Sequence, residues 1–265
     1  MLLTHAHRRI AYDDIGPADA PTVCFAHALA ADSGMWTEQI PALIARGLRV
    51  LRVDMRGHGG SEAPAGHATL DELASDIAAV IDTLGIARVH FVGLSIGGMI
   101  GQALALRHGA KVASLMLCES PPASLINVKQ IWAPRIAAVT AAQSCAPIAD
   151  GTMERWLSPA FKARHPVRWG QIRATVAATD PAGYLSCVHA LSNFDFTSEL
   201  SSLRVPAMAL YGEDDVASSA EENQRLASLI PGGRFVAFPG ARHLPNVEAP
   251  DRFNRILLDW IAAQG

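Results

Sequence analysis

Apolar residues fall along this chain in two alternating rhythms. Short β-rich runs, at Thr22–Ala26, Arg49–Asp54, Val89–Gly93, Ser114–Glu119 and Ala207–Gly212, with a sixth at Arg234–Phe238, predict strands. Between most of them lie helix-length stretches with a 3.6-residue period. One carries Leu70, Leu73, Ile77, Val80, Ile81 and Leu84, with Thr69 placed as an N-cap and Gly85 as the stop. Strand alternating with helix predicts an α/β fold, a mostly parallel central sheet flanked by helices. Such strands are covered on both faces, so VCFA, VHFVG and SLMLC read as continuous apolar runs. Residues His7 to Asp14 predict a short edge hairpin.

The rhythm breaks between Pro121 and Leu203. No strand is predicted there, and Pro121, Pro122, Pro134, Pro147, Pro159, Pro166 and Pro181 punctuate short helical pieces. Asp180 before Pro181 suits an N-cap with proline at the first helical position. The expected organisation is a core of residues 1–121 and 203–265 with a helical cap inserted at 122–202. The insertion holds three of the five tryptophans, Trp132, Trp156 and Trp169.

With 50% apolar and 18% charged residues the chain has the balance of a soluble globular protein. Its net charge of −3, without a run of like charge, gives no footprint for nucleic acid or an anionic membrane. Cys24, Cys118, Cys145 and Cys187 lie far apart, with no spacing that a structural zinc needs, and are expected to be reduced thiols. The order of charge and apolar residues in MLLTHAHRRI is wrong for a secretory signal. The longest uncharged stretch, Phe91 to Leu106, is too short and polar for a membrane span. These features predict a cytoplasmic protein acting on a small molecule.

The sharpest chemical signal is GLSIG, Gly93 to Gly97, directly after the strand VHFV and before the helical run GMIGQALALRH. A serine held on a tight strand-to-helix turn needs small residues two positions before and after it, which are Gly93 and Gly97. The competing reading is a glycine-rich turn ahead of a tightly packed helix. If Ser95 is a nucleophile, a histidine must take its proton and a carboxylate must orient that histidine. Glu213, Asp214 and Asp215 follow the strand AMALYG, at the carboxyl end where ligands collect in open α/β sheets. One of them is expected to be the acid, with Glu119, which also ends a strand, as a lesser candidate. His243, in the loop before a last helix at Asp251–Ala262, is the expected base. For the oxyanion the expected donors are the Ile96 and Leu29 amides, and His27 beside them is expected to be structural.

The chain resembles the α/β-hydrolase family over nearly its whole length. The residues that carry the likeness are His27 to Leu29, DMRGHGGS (Asp54–Ser61), GLSIGGM (Gly93–Met99), GEDD (Gly212–Asp215) and ARHLPNVEAP (Ala241–Pro250). The family's order of nucleophile, acid and histidine favours His243, the one histidine after the candidate acids. Its Gly-x-x-Asp pattern places the acid on Asp215, and DMRGHGGS takes a scaffold role. Within the family the chain is most similar to 3-oxoadipate enol-lactonases, through CFAHALAADSGMW, GLSIGGMIGQ, IWAPRIAAV (Ile131–Val139), ERW (Glu154–Trp156) and ATDPAGY (Ala178–Tyr184). It departs from them at His27 and Ala28, where Asn and Ser are common, and at VASSA after Asp215, where a proline-bearing segment is usual.

The resemblance implies a serine hydrolase that opens a small anionic lactone through an acyl-enzyme, with no metal or organic cofactor required. Arg135 is then expected to meet the substrate carboxylate, with Trp132 as an apolar wall one helical turn away and Trp156 in the substrate site. The competing reading of Arg135 is a solvated arginine on a helical cap. A carboxylesterase or a carbon–carbon hydrolase would use the same triad. A non-catalytic receptor on the same scaffold is a remoter reading, which turnover of p-nitrophenyl acetate would exclude.

Overall fold

A computed structural model describes residues 1–125 and 127–264. The chain opens with an antiparallel hairpin, β1 (Leu2–His5) and β2 (Arg8–Ile15). The hairpin lies at the edge of the sheet, as the sequence suggested, but starts earlier, at Leu2; β1 is the edge strand, and β2 joins it to the sheet by pairing with β4 (Arg49–Val53). Its turn is Ala6 and His7, with φ of 48° and 62°. Two-residue turns of this hand are usually announced by Asn-Gly or a glycine pair, and this one is not.

The remaining strands are β3 (Thr22–Ala26), β5 (Val89–Leu94), β6 (Val112–Cys118), β7 (Ala207–Gly212) and β8 (Arg234–Phe238). All eight join one sheet in the order β1-β2-β4-β3-β5-β6-β7-β8, parallel from β4 onward. Every residue of β3 and β7 is buried, as expected of strands covered on both faces. The first covering helices of the core are α1 (Ile40–Ile44), α2 (Leu70–Thr83) and α3 (Ile96–His108). In α2, Thr69 Oγ1 accepts the Glu72 N–H and Glu72 returns the bond to the Thr69 N–H, a reciprocal cap.

Between β6 and β7 the chain forms α4 (Val128–Ala142), α5 (Ala149–Trp156), α6 (Pro159–Arg164), α7 (Pro166–Ala178) and α8 (Pro181–Ser192). Three of these, α6, α7 and α8, begin with a proline, and Asp180 caps α8 by accepting the Ala182 and Gly183 N–H groups. Among the described residues this segment holds no strand, only an isolated bridge between Ala123 and Asp195. The chain closes with α9 (Ala220–Leu229), α10 (Pro245–Glu248) and α11 (Pro250–Ala262). The segment is seated tightly on the core. A Cβ built on Gly57 would lie 2.3 Å from the Gly183 Cα of α8, so only two glycines allow that approach. Among the described residues all four cysteines are free and buried, and no helix is long and apolar enough to cross a membrane.

Strand order fixes where chemistry can occur. From β3 the chain crosses to β4 on one side, then to β5 on the other, so a crevice opens beyond the carboxyl ends of β3 and β5. Leu29 follows β3 and Ser95 follows β5.

Candidate active site

The turn from β5 to α3 carries Ser95 at φ 58°, ψ −120°. A non-glycine residue with positive φ is strained and needs its surroundings to hold it. Here the Ser95 N–H donates to the Cys118 carbonyl at 2.8 Å, and the Ser120 hydroxyl donates to the Ser95 carbonyl at 2.9 Å. The flanking glycines are sterically required. A Cβ on Gly93 would lie 2.2 Å from the Gly97 oxygen, and one on Gly97 would lie 2.2 Å from the Ala26 oxygen of β3. Gly97→Ala must therefore push α3 away from β3 and move Ser95 with it. The expected result is a folded protein with turnover down by about 100-fold, since a displacement near 1 Å suffices for that loss. Circular dichroism and kcat check it.

Of the three acids after β7, Glu213 and Asp214 are exposed and Asp215 is buried. Asp215 Oδ2 accepts from His243 Nδ1 at 2.7 Å, and its Oδ1 accepts the Ala217 N–H at 2.7 Å. Burial by itself would raise the Asp215 pKa. The His243 charge and N–H, with the other donors, outweigh it and hold the carboxyl below its usual range. With Nδ1 engaged, the His243 ring keeps Nε2 for the cavity that it lines together with Ser95. Glu119 makes no hydrogen bond to His243; its Oε1 accepts the Gly212 N–H at 2.6 Å.

The loop after β3 turns at Ala28–Ala31, closed by the Ala31 N–H on the Ala28 carbonyl, with Ala30 at φ 62°. Among the described residues neither the Leu29 nor the Ile96 N–H has an acceptor, so both are available at the crevice. His27 is fully buried: Nδ1 donates to the Ala28 carbonyl at 2.8 Å and Nε2 accepts the Met55 N–H at 2.9 Å. Burial lowers its pKa, and burial with His27 alongside pushes His58 down to about 3, so both rings are neutral struts. Asp54 ties the DMRGHGGS loop to this one, accepting the Ser33 N–H at 2.7 Å and the Gly60 N–H at 2.9 Å.

Ser95, His243 and Leu29 open into a cavity of about 430 Å³ roofed by α4, α5 and α8. Trp132 and Arg135 both line it, and the Arg135 guanidinium lies 4.7 Å from the Trp132 ring centroid, so α4 is helical through Pro134 and the two share a face. Trp156 stacks near His243, ring centroids 6.2 Å apart, and its carbonyl accepts the Leu244 N–H at 3.3 Å. Beside it stands Arg155, which the sequence reading did not single out. Burial lowers the pKa of both arginines, and for Arg155 the Arg135 charge adds to it. Among the described residues neither has a carboxylate partner; Arg155 donates only to Thr152 Oγ1, at 3.3 Å. Tyr184 of α8, buried and pushed upward by that burial, completes this wall. Arg155 lies in the ERW segment that carries the family likeness, but its role was not marked there because it depends on a companion 20 positions away. Among the described residues Glu119, Asp215 and His243 place one donor atom each within 4.8 Å, a spacing a metal site shares, but the Asp215 and His243 donors face each other.

Residues 21–250 match the family described as alpha/beta hydrolase fold. The chain belongs to that family. It is 31% identical over 243 residues to 3-oxoadipate enol-lactonase 2 of Acinetobacter baylyi, covering 92% of this chain and 89% of that protein. The enol-lactonase structure from Burkholderia xenovorans superposes with a TM-score of 0.93 at 33% identity, over 99% of this chain and all of that one. A thermophilic esterase from Thermogutta terrifontis gives 0.91 at 27% identity, over 100% and 98% of the two chains. The similarity to 3-oxoadipate enol-lactonases read from the motifs thus extends to sequence and fold alike, and the protein is a carboxylic-ester hydrolase of this family.

Proposed function

We propose that the protein is a serine hydrolase that opens a small anionic lactone, of the kind its 3-oxoadipate enol-lactonase relatives are named for. The observation that carries the anionic substrate is the pair Arg135 and Arg155, two half-buried guanidinium groups on one wall of the Ser95 cavity, neither in an ion pair with a carboxylate among the described residues. Two such cations in contact with apolar surface repel one another and lose hydration. A substrate carboxylate between them removes both penalties.

Ser95 Oγ attacks the lactone carbonyl while His243 Nε2 takes its proton, and Asp215 holds the ring through Nδ1 and stabilises the imidazolium. The oxyanion forms against the Leu29 and Ile96 N–H groups. Collapse breaks the ring C–O bond, and His243 returns the proton to the departing enolate oxygen, which remains tethered in the acyl chain on Ser95. Water then enters, His243 takes one of its protons, and the second tetrahedral intermediate releases the carboxylate and restores the serine. Trp132 and Trp156 give the carbon skeleton its apolar walls. The balance is complete without a cofactor. The reading extends to aromatic catabolism in the cytoplasm, on the similarity to the enol-lactonases and the four free thiols.

The test compares charged and neutral substrates. A charged hydrogen-bonded contact is worth on the order of 2 kcal/mol, so Arg135→Ala should lower kcat/KM for an anionic lactone roughly 30-fold. Arg155→Ala should act in the same direction, and a neutral ester of similar size should lose almost nothing. Equal losses on both substrates mean that Arg135 only supports the cap. An enzyme that turns over neutral aryl esters faster than anionic lactones is instead a carboxylesterase.

A further inference from the structure

The residues that follow β6 face two parts of the site at once. Ser120 supports Ser95, as described, while its own N–H donates to Asn223 Oδ1 of α9 at 2.9 Å. Glu119 points the other way. It sits at φ 53°, a strained value for a side chain of its size, and only 1% of it is exposed. Its Oε1 is fixed by the Gly212 N–H, while its buried Oε2 makes no hydrogen bond of good geometry among the described residues. The neighbouring acid is Asp215: one carboxylate oxygen of each residue and a His243 ring nitrogen all lie within 4.8 Å of one another.

The titratable groups around Glu119 come from each neighbouring element. They are Cys118 on β6, Tyr211 at the end of β7, Asp215 after it, and His243. Glu222 on α9 lines the adjoining cavity and is engaged by Arg225 at 3.4 Å. None of the described lysines or arginines pairs with Glu119. Two buried carboxyls this close, with no lysine or arginine between them, do not readily both ionise. Asp215 receives His243 Nδ1 and the Ala217 N–H, so it is the partner that keeps the charge.

We propose that Glu119 is held as the neutral acid and donates its Oε2 proton to Asp215, acting as a positioning residue that fixes the Asp215 rotamer and tempers its pull on the His243 imidazole. The direction of titration agrees. Burial first, then the Asp215 charge and the bond they share, push Glu119 well above the usual carboxyl range, while the Gly212 amide and nearby Ser218 hydroxyl draw it only part of the way back. The consequence for catalysis rests on the triad proposed above; the protonation state does not.

Two variants and two readouts test it. Infrared spectra at neutral pH should show the C=O stretch of a buried, protonated carboxylic acid in the wild type and not in Glu119→Gln. A glutamine keeps both contacts, accepting the Gly212 N–H and donating an N–H to Asp215, so the acid limb of its kcat/KM profile should not move. Glu119→Ala removes the donor. Its turnover should fall roughly 30-fold, the worth of a hydrogen bond to a charged group, with the acid limb displaced upward, and Gln should recover most of that loss. A band that survives in Glu119→Gln overturns the proposal. So does an acid limb that drops by about one unit in Glu119→Gln, as removal of a real charge beside Asp215 demands. If Glu119→Ala does not fold, the glutamine variant and the spectrum decide alone. Should Ser95→Ala keep full activity, the triad falls while the infrared band still reports on Glu119.

Discussion

Ser95→Ala is expected to leave the protein folded and to lower turnover of any ester or lactone by at least about 10⁴-fold. The reason is that the nucleophile, base and acid act as a unit, and loss of the nucleophile removes the covalent route altogether. The fold should tolerate the change, because Ser95 is held through its backbone, by the Cys118 carbonyl and the Ser120 hydroxyl, and not through its own Oγ. Alanine at φ 58° is strained much as serine is, so thermal stability should move little. Initial rates with p-nitrophenyl acetate and a lactone, alongside a melting curve, check both halves. Retained turnover removes Ser95 from the mechanism.

The second large effect separates two adjacent carboxylates. Asp215→Asn should lower kcat by about 10⁴-fold, because an amide at that position favours the wrong imidazole tautomer. Asp214→Asn should change kcat by less than about threefold, since Asp214 is exposed and its side chain takes no part in holding His243. Parallel kinetics on the two variants read the difference directly, and the reverse ranking would assign the acid to Asp214.

Much of the fold was legible because burial on both faces of a parallel sheet leaves unbroken apolar runs. Thr22–Ala26, Ala207–Gly212 and Arg234–Phe238 are strands over the residues that the pattern marked. The hairpin start at Leu2 was not legible, because Ala6 and His7 adopt positive φ without the residue types that favour it. In the site, GLSIG was readable because its glycines answer local sterics within five residues. Asp215 was narrowed from three acids by a family pattern and not by local physics, since nothing in GEDD says which side chain turns inward. Arg155 and the shared proton of Glu119 and Asp215 escaped altogether. Both depend on groups brought together from distant segments, Arg135 with Arg155 across the insertion and β6 with the end of β7, and on burial that no local pattern encodes.

The central claim is that this cavity is built around an anionic lactone. The most direct measurement is wild-type kcat/KM for an enol-lactone bearing a free carboxylate against the same lactone with that carboxylate methylated. With Arg135 and Arg155 recognising the charge, the anion should be preferred by at least about 30-fold, the worth of one charged hydrogen-bonded contact. Equal rates, or a preference for the neutral ester, would contradict the account.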